Sequence, residues 1–116
     1  MNRKKEEIQP FNLLDLVPQR VAKWEEVDER VIILKPKFTH PWAVKNILPR
    51  LRKPYYRVKL DEIGSAVWRL CDGRRTVKEI GELLTQTFGE QVEPLYERLG
   101  YFFQMLERNR FIKLLF

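Results

Sequence analysis

One cysteine, one histidine and five glycines among 116 residues remove several kinds of chemistry at the outset. Cys71 has no second cysteine to bridge, so an internal disulfide is excluded. With His40 as the only histidine, soft ligands are too few for a structural zinc site. His40 lies between Thr39 and Pro41 with no other histidine or cysteine near it, so neither a metal-ligand role nor a Ser-His-Asp set is expected. The glycines of GELLTQTFGE stand too far apart for either nucleotide-binding fingerprint. No apolar run approaches the ~20 residues of a membrane span. The opening stretch MNRKKEEIQPF is polar, so no secretory leader is expected and the cytoplasm is the default compartment. The acids Glu25, Glu26, Asp28 and Glu29 flank a turn and read as solvated. Catalysis is therefore not expected, and neither is a cofactor.

Acid is also missing from one long stretch. Residues 35–60 carry Lys35, Lys37, Lys45, Arg50, Arg52, Lys53, Arg57 and Lys59 and no aspartate or glutamate, while the chain from residue 61 onward is close to neutral. The net charge of +6 is thus concentrated in one block, which should attract an acidic partner. What is present in quantity is core material. Hydrophobic residues make up 44% and aromatics 12%, as in a folded globule and unlike a disordered chain. The length suits one core, so residues 1–10 are expected as a flexible tail and 11–116 as a single domain with a basic insert at 40–54.

The most patterned stretch runs from Tyr55 to Phe88. Val58 and Leu60 alternate with Arg57 and Lys59, the two-residue period of a half-buried strand. Asp61 follows as a candidate helix N-cap. Ile63, Val67, Trp68 and Cys71 then share one helical face. Beside Trp68, Cys71 reads as a small buried hydrophobe, with a reactive thiol as the alternative. Gly73 suits the left-handed residue after a helix. Thr76 and Glu79 form a capping box that opens a second helix with the stripe Val77, Ile80, Leu84 and Phe88, closed by Gly89. A strand feeding two capped helices joined by CDGRR is a helix-turn-helix with β structure in front.

Around this centre, FNLLDLVPQR is too apolar for a free tail and is expected to dock as a turn or short helix ended by Pro18. Val21–Val27 and Val31–Leu34 are strand-like runs separated by the polar turn DER. Pro41, Pro49 and Pro54 divide the segment 40–54, leaving room for at most a two-turn helix between the first two. There Trp42, Ile47, Leu48 and Leu51 interleave with Lys45, Arg50, Arg52 and Lys53. Three readings stay open for it: a docked connection with its basic side in water, a segment on an anionic membrane surface, or a docking surface for a protein or peptide. Gln91–Asn109 is the longest expected helix, with Pro94 in its first turn and Asn109 as a left-handed cap. Leu95, Leu99, Phe102 and Leu106 form its core stripe, with Tyr96, Gly100 and Phe103 beside it. Gly100 in a helix interior suggests close approach of another backbone, or simple packing against a neighbouring helix. FIKLLF reads as a terminal strand, extending a sheet or offering an edge for weak self-association.

The expected fold is therefore α+β: a winged helix-turn-helix, with a three-stranded antiparallel sheet followed by three helices. Such folds commonly bind DNA, and that reading is the main alternative. The long helix argues against it. Residues 93–110 set Glu93, Glu97 and Glu107 against Arg98, Arg108 and Arg110, and a neutral helix sits badly among phosphates. An extended peptide added beside the third strand fits better. Tyr55, Arg57 and Lys59 would share one strand face, and Tyr56, Val58 and Leu60 the other, core-facing one.

Leu60, Asp61, Gly64, Ala66, Val67, Trp68, Leu70, Asp72, Gly73, Thr76, Val77 and Ile80 fall where the PqqD-like family has its apolar strand, Leu-Asp, Val-Trp, Asp-Gly, Thr-Val and Ile. The chain resembles that family over roughly residues 55–88. The resemblance implies a small winged-helix protein that binds the leader segment of a precursor peptide and presents it to a modifying enzyme, of the radical SAM type that such modules accompany. It further implies that the leader lies as an added strand between the third strand (Tyr55, Tyr56, Arg57, Val58, Lys59) and the third helix (Tyr96, Leu99, Gly100, Phe103). A basic strand would favour an acidic leader. The second candidate surface, for a membrane or a partner, comprises Trp42, Lys45, Arg50, Arg52 and Lys53. Specific nucleic-acid binding is not expected, and the protein is expected as a monomer or weak homodimer.

Overall fold

A computed structural model describes residues 12–116. In chain order the elements are β1 (Val17–Arg20), β2 (Lys23–Val27), β3 (Arg30–Pro36), α1 (Pro41–Asn46), β4 (Tyr55–Lys59), α2 (Glu62–Leu70), α3 (Val77–Phe88), α4 (Leu95–Arg108) and β5 (Ile112–Leu115). The protein is α+β, and both of its sheets are antiparallel: β2-β3-β4 and β1-β5. As the sequence pattern requires, three helices follow the three-stranded sheet. The paired terminal strands and the short α1 are additions to that plan. The described residues divide into two compact units, one formed by residues 12–21 together with Ala66–Phe116, the other by Ala22–Ser65.

In the unit of residues 22–65, β3 is the middle strand. Its run Val31, Ile32 and Ile33 is buried on both faces, which explains why it lacks the alternation of a half-exposed strand. The β2–β3 hairpin is tighter than a DER turn. Val27 pairs with Arg30, leaving a two-residue loop of Asp28 and Glu29. Both have positive φ, 52° and 65°, as the right-handed twist of a two-residue hairpin demands.

The β3–β4 ladder ends at a buried hydroxyl. Leu60 N–H donates to the Val31 carbonyl at 2.9 Å. The Val31 N–H then donates to Ser65 Oγ at 2.8 Å, and Ser65 Oγ reaches back to the Leu60 carbonyl at 3.4 Å. Ser65 thus stands where the reciprocal ladder bond would be, and it ties the first turn of α2 to the sheet. Asp61 caps that turn as expected, its carboxylate accepting from the Gly64 amide at 2.7 Å.

In the other unit, β1 is held on both edges. It pairs with β5 on one side, and on the other with the turn between α2 and α3, where Arg20 N–H donates to the Cys71 carbonyl (3.0 Å) and Gly73 N–H to the Pro18 carbonyl (2.9 Å). Pro18 therefore lies inside a strand and does not end the segment. It sits at a position that offers only its carbonyl to the turn, so the missing amide costs no ladder bond. Arg20 donates to the carbonyls of Trp68 (3.0 Å) and Arg69 (2.7 Å), placing positive charge at the C-terminal end of α2. Gly73 has φ of 79°, and the Thr76–Glu79 capping box opens α3.

The long helix is shorter than its sequence suggests. It spans Leu95–Arg108, after a 3-10 turn over Gly89–Val92, with Pro94 as N-cap. Asn109 is not left-handed (φ −86°); Arg110 is, at φ 61°. Leu95, Leu99 and Leu106 face inward as expected, but Phe103 is the buried aromatic and Phe102 only half-buried. Among the described residues the close approach suspected at Gly100 is absent. The nearest atom to a Cβ there would be Leu13 Cδ2 at 3.9 Å, an ordinary contact, and it is a side chain. The tight spot is Gly81 on α3, where a Cβ would come within 2.9 Å of Tyr96 Cε1. The Tyr96 ring lies against the bare backbone of α3, and a side chain at Gly81 would make that exposed ring shift.

Candidate functional site

The structure places Tyr55, Tyr56, Arg57, Val58 and Lys59 together on β4, at the edge of the three-stranded sheet. Register decides which of their backbone groups are free. Ladder bonds join Lys37 N–H to the Pro54 carbonyl at one end of β4 and Leu60 N–H to the Val31 carbonyl at the other. Those pairs continue the β3–β4 register, in which Tyr56 opposes Lys35 and Val58 opposes Ile33. Hydrogen-bonded and non-bonded pairs alternate in an antiparallel ladder, so Tyr56 and Val58 bond inward to β3. The amides and carbonyls of Tyr55, Arg57 and Lys59 point away from it. Among the described residues no strand pairs with them, so they form a strand template.

The side chains of those three residues share a sheet face with Lys23 and Glu25 of β2, flanking Ile32 and Leu34 of the middle strand. Arg57 forms an ion pair with Glu25 of β2, across the middle strand. Lys23 Nζ donates to Tyr55 Oη at 3.2 Å and lies 5.7 Å from the centroid of its ring. Lys59 makes no ion pair among the described residues. On the opposite face Leu60 is buried and Val58 half-buried, whereas Tyr56 is 57% exposed. Tyr56 therefore lies outside the core it was expected to join. It is at the strand end, where its ring carries Lys37 Nζ at 5.3 Å from the centroid. Sequence reasoning missed Glu25, which read as part of a solvated turn cluster. A clue was available: with the hairpin register known, Glu25 falls on the same face as Arg57.

The helical candidates lie on α4, in the other unit. Leu99 and Phe103 are buried, Tyr96 is exposed, and Gly100 is half-buried beside Leu13, the first residue of a 3-10 turn over Leu13–Asp15. The five candidate residues of the basic insert, Trp42, Lys45, Arg50, Arg52 and Lys53, are all exposed. Ala43 anchors α1 by burial, and the His40 imidazole caps it, Nδ1 accepting from the Trp42 amide at 3.2 Å. That capping role is one the sequence pattern did not suggest.

Cys71 is fully buried, and its thiol donates to the Val67 carbonyl at 3.2 Å. Burial pushes its pKa up to about 12; Arg20 works against that and Asp72 adds to it. The thiolate needed for nucleophilic work does not form near neutral pH. A native-state thiol assay with an aromatic disulfide at pH 8 should accordingly show almost no reaction until denaturant is added, and rapid native labelling would overturn the assignment. The raised pKa also has a stability consequence. Below pH 9.0 the thiol is protonated folded or unfolded, but between 9.0 and about 12 only the unfolded chain ionises, so stability falls across that window. Its neighbour Asp72 shifts the other way. Burial alone would raise its pKa, but the Arg74 and Arg75 amides and the Arg75 guanidinium together hold it below the ordinary carboxylate value. Asp72 is thus the organiser of the α2–α3 turn.

Among the described residues no group of three His, Cys, Asp or Glu is placed to hold a metal ion, and no helix is long and apolar enough to cross a membrane. The described residues thus present a basic strand at the edge of an antiparallel sheet and a capped helix pair with a buried thiol. The chain belongs to the PqqD family: the family model described as coenzyme PQQ synthesis protein D (PqqD) matches residues 51–112, more than half of the chain and including β4 and α2 to α4. It is also similar to a Methylococcus capsulatus protein named PqqA binding protein, 27% identical over 88 residues that make up 75% of each chain. No solved structure matches it.

Proposed function

We propose that this protein is a non-catalytic recognition module that holds the leader segment of a precursor peptide as an extended strand on β4 and presents the peptide to a modifying enzyme. The observation that carries this reading is the free edge at Tyr55, Arg57 and Lys59. Each offers an amide and a carbonyl in strand geometry, and strand addition to such an edge is a recurrent mode of peptide capture. The edge has no proline and, among the described residues, is not covered by β pairing, two usual devices for blunting an edge. Membership of the PqqD family and the name of the related PqqA binding protein support binding over catalysis. The basic character of residues 35–60 favours an acidic peptide.

Hydrogen exchange during titration with an acidic peptide tests this. The outward amides of Tyr55, Arg57 and Lys59 exchange freely without a ligand and should gain protection when it binds, while Tyr56 and Val58, already bonded to β3, should change little. Protection or chemical-shift changes confined to residues 40–54 would move the working surface to the basic insert. Sequence-specific binding of duplex DNA at physiological salt would replace the reading altogether.

A further inference from the structure

We infer that β4 reads its peptide as a two-residue code, with acidic side chains opposite Tyr55, Arg57 and Lys59 and apolar ones opposite Tyr56 and Val58. The inference rests on strand addition at β4 and specifies what is added. In antiparallel pairing, directly opposed residues project from the same sheet face. A peptide residue that exchanges hydrogen bonds with Arg57 therefore sets its side chain on the face of Lys23, Arg57 and Lys59. A carboxylate there meets Arg57 directly and Lys59 diagonally, within reach of a long side chain.

The intervening peptide residues project from the other face. There Val31 and Ile33 of β3 lie fully buried behind Val58 and Leu60 of β4, and the exposed Tyr56 ring, opposite Lys35 and with Lys37 Nζ 5.3 Å from its centroid, ends the apolar surface. These are the non-bonded pairs, in which opposed Cα atoms come closer, and close approach favours apolar contact. The two faces of β4 thus ask for different chemistry, and they alternate in step with the hydrogen bonds. Charge and pairing direction become one signal.

The protein already contains a substitute for the ligand's acid. Glu25 reaches Arg57 from β2, across the middle strand, so the guanidinium is partly satisfied before a peptide arrives, while Lys59 keeps its charge unpaired among the described residues. Glu25 competes with an acidic peptide for Arg57 and sets how strongly the code is enforced.

Backbone methylation separates the code from simple attraction. The probe is a blocked nonapeptide of alternating glutamate and valine that begins and ends with glutamate, compared with versions N-methylated at its three central glutamates or at three of its four valines. Titration calorimetry on the full chain should show at least about a tenfold loss for the methylated glutamates, whose amides face β4, and much less for the valines, whose amides face outward. The opposite order overturns the code but keeps strand addition. Equal tolerance of both overturns strand addition itself, as does an unmodified peptide that fails to bind at millimolar concentration. Glu25→Gln should tighten the unmodified peptide by about two- to fivefold, the scale of one exposed ion pair, and leave unchanged a peptide carrying glutamine for glutamate. Weaker binding of the acidic peptide by that variant would overturn the role given to Glu25.

Discussion

Replacing Trp68 by alanine is expected to destabilise the protein by about 3–5 kcal/mol, the range for deleting a large buried aromatic. Trp68 heads the fully buried side chains by size and has no exposed surface. Its backbone carbonyl receives the Arg20 guanidinium, so the residue sits where α2 is tied to β1. Small domains are stable by only about 5–15 kcal/mol, so this one change removes a large share of the total. Equilibrium denaturation followed by circular dichroism measures it. A loss below about 1 kcal/mol would mean that the side chain is not part of the core, and the assignment of the α2 stripe would fall with it. Asp61 would remain as a cap, because its bond to the Gly64 amide depends on local backbone geometry and not on the buried face.

The second large effect falls on binding. Arg57→Pro removes one outward amide from β4 and puts a ring where the added strand must approach. Proline is tolerated on an edge strand when its amide faces away from the ladder, and at Arg57 it does. We expect the sheet to persist, with stability changed by about 1 kcal/mol or less, while affinity for an acidic peptide drops by roughly tenfold or more. Arg57→Ala is the control that removes the side chain and keeps the amide. Val58→Pro is the contrast: it deletes an amide that bonds to β3 and should unfold the sheet. If Arg57→Pro binds as well as Arg57→Ala, the peptide does not pair with this edge.

Most of the region that carries both effects can be read from short spacings. The Thr76–Glu79 capping box, the Asp61 cap, the left-handed Gly73 and the apolar stripes of α2 and α3 all depend on residues three or four positions apart, where local sterics and a few side-chain-to-backbone bonds decide the outcome. The alternation at β4 and the apolar run of β3 are equally local. So is the basic block of residues 35–60, which composition alone reveals.

Other features depend on who is opposite whom. Nothing in VPQR announces that it pairs with IKLL at the far end of the chain, so Pro18 reads as a terminator when it is in fact an edge-compatible strand residue. Glu25 reads as solvated until a two-residue turn at Asp28–Glu29 puts it on the face of Arg57. The glycine that matters for close packing is Gly81, because the Tyr96 ring lands on it, and that landing is settled by how α3 and α4 cross. By itself, then, the sequence determined the α+β class, the capped helix pair, the membership of β4 in the sheet and its charge. Only the tertiary structure decided that β4 is an edge strand, which three of its residues have free backbone groups, and which acid already holds Arg57. Strand order and register come from long-range pairing, in which one residue of slip reverses every side chain, and no local propensity carries that information.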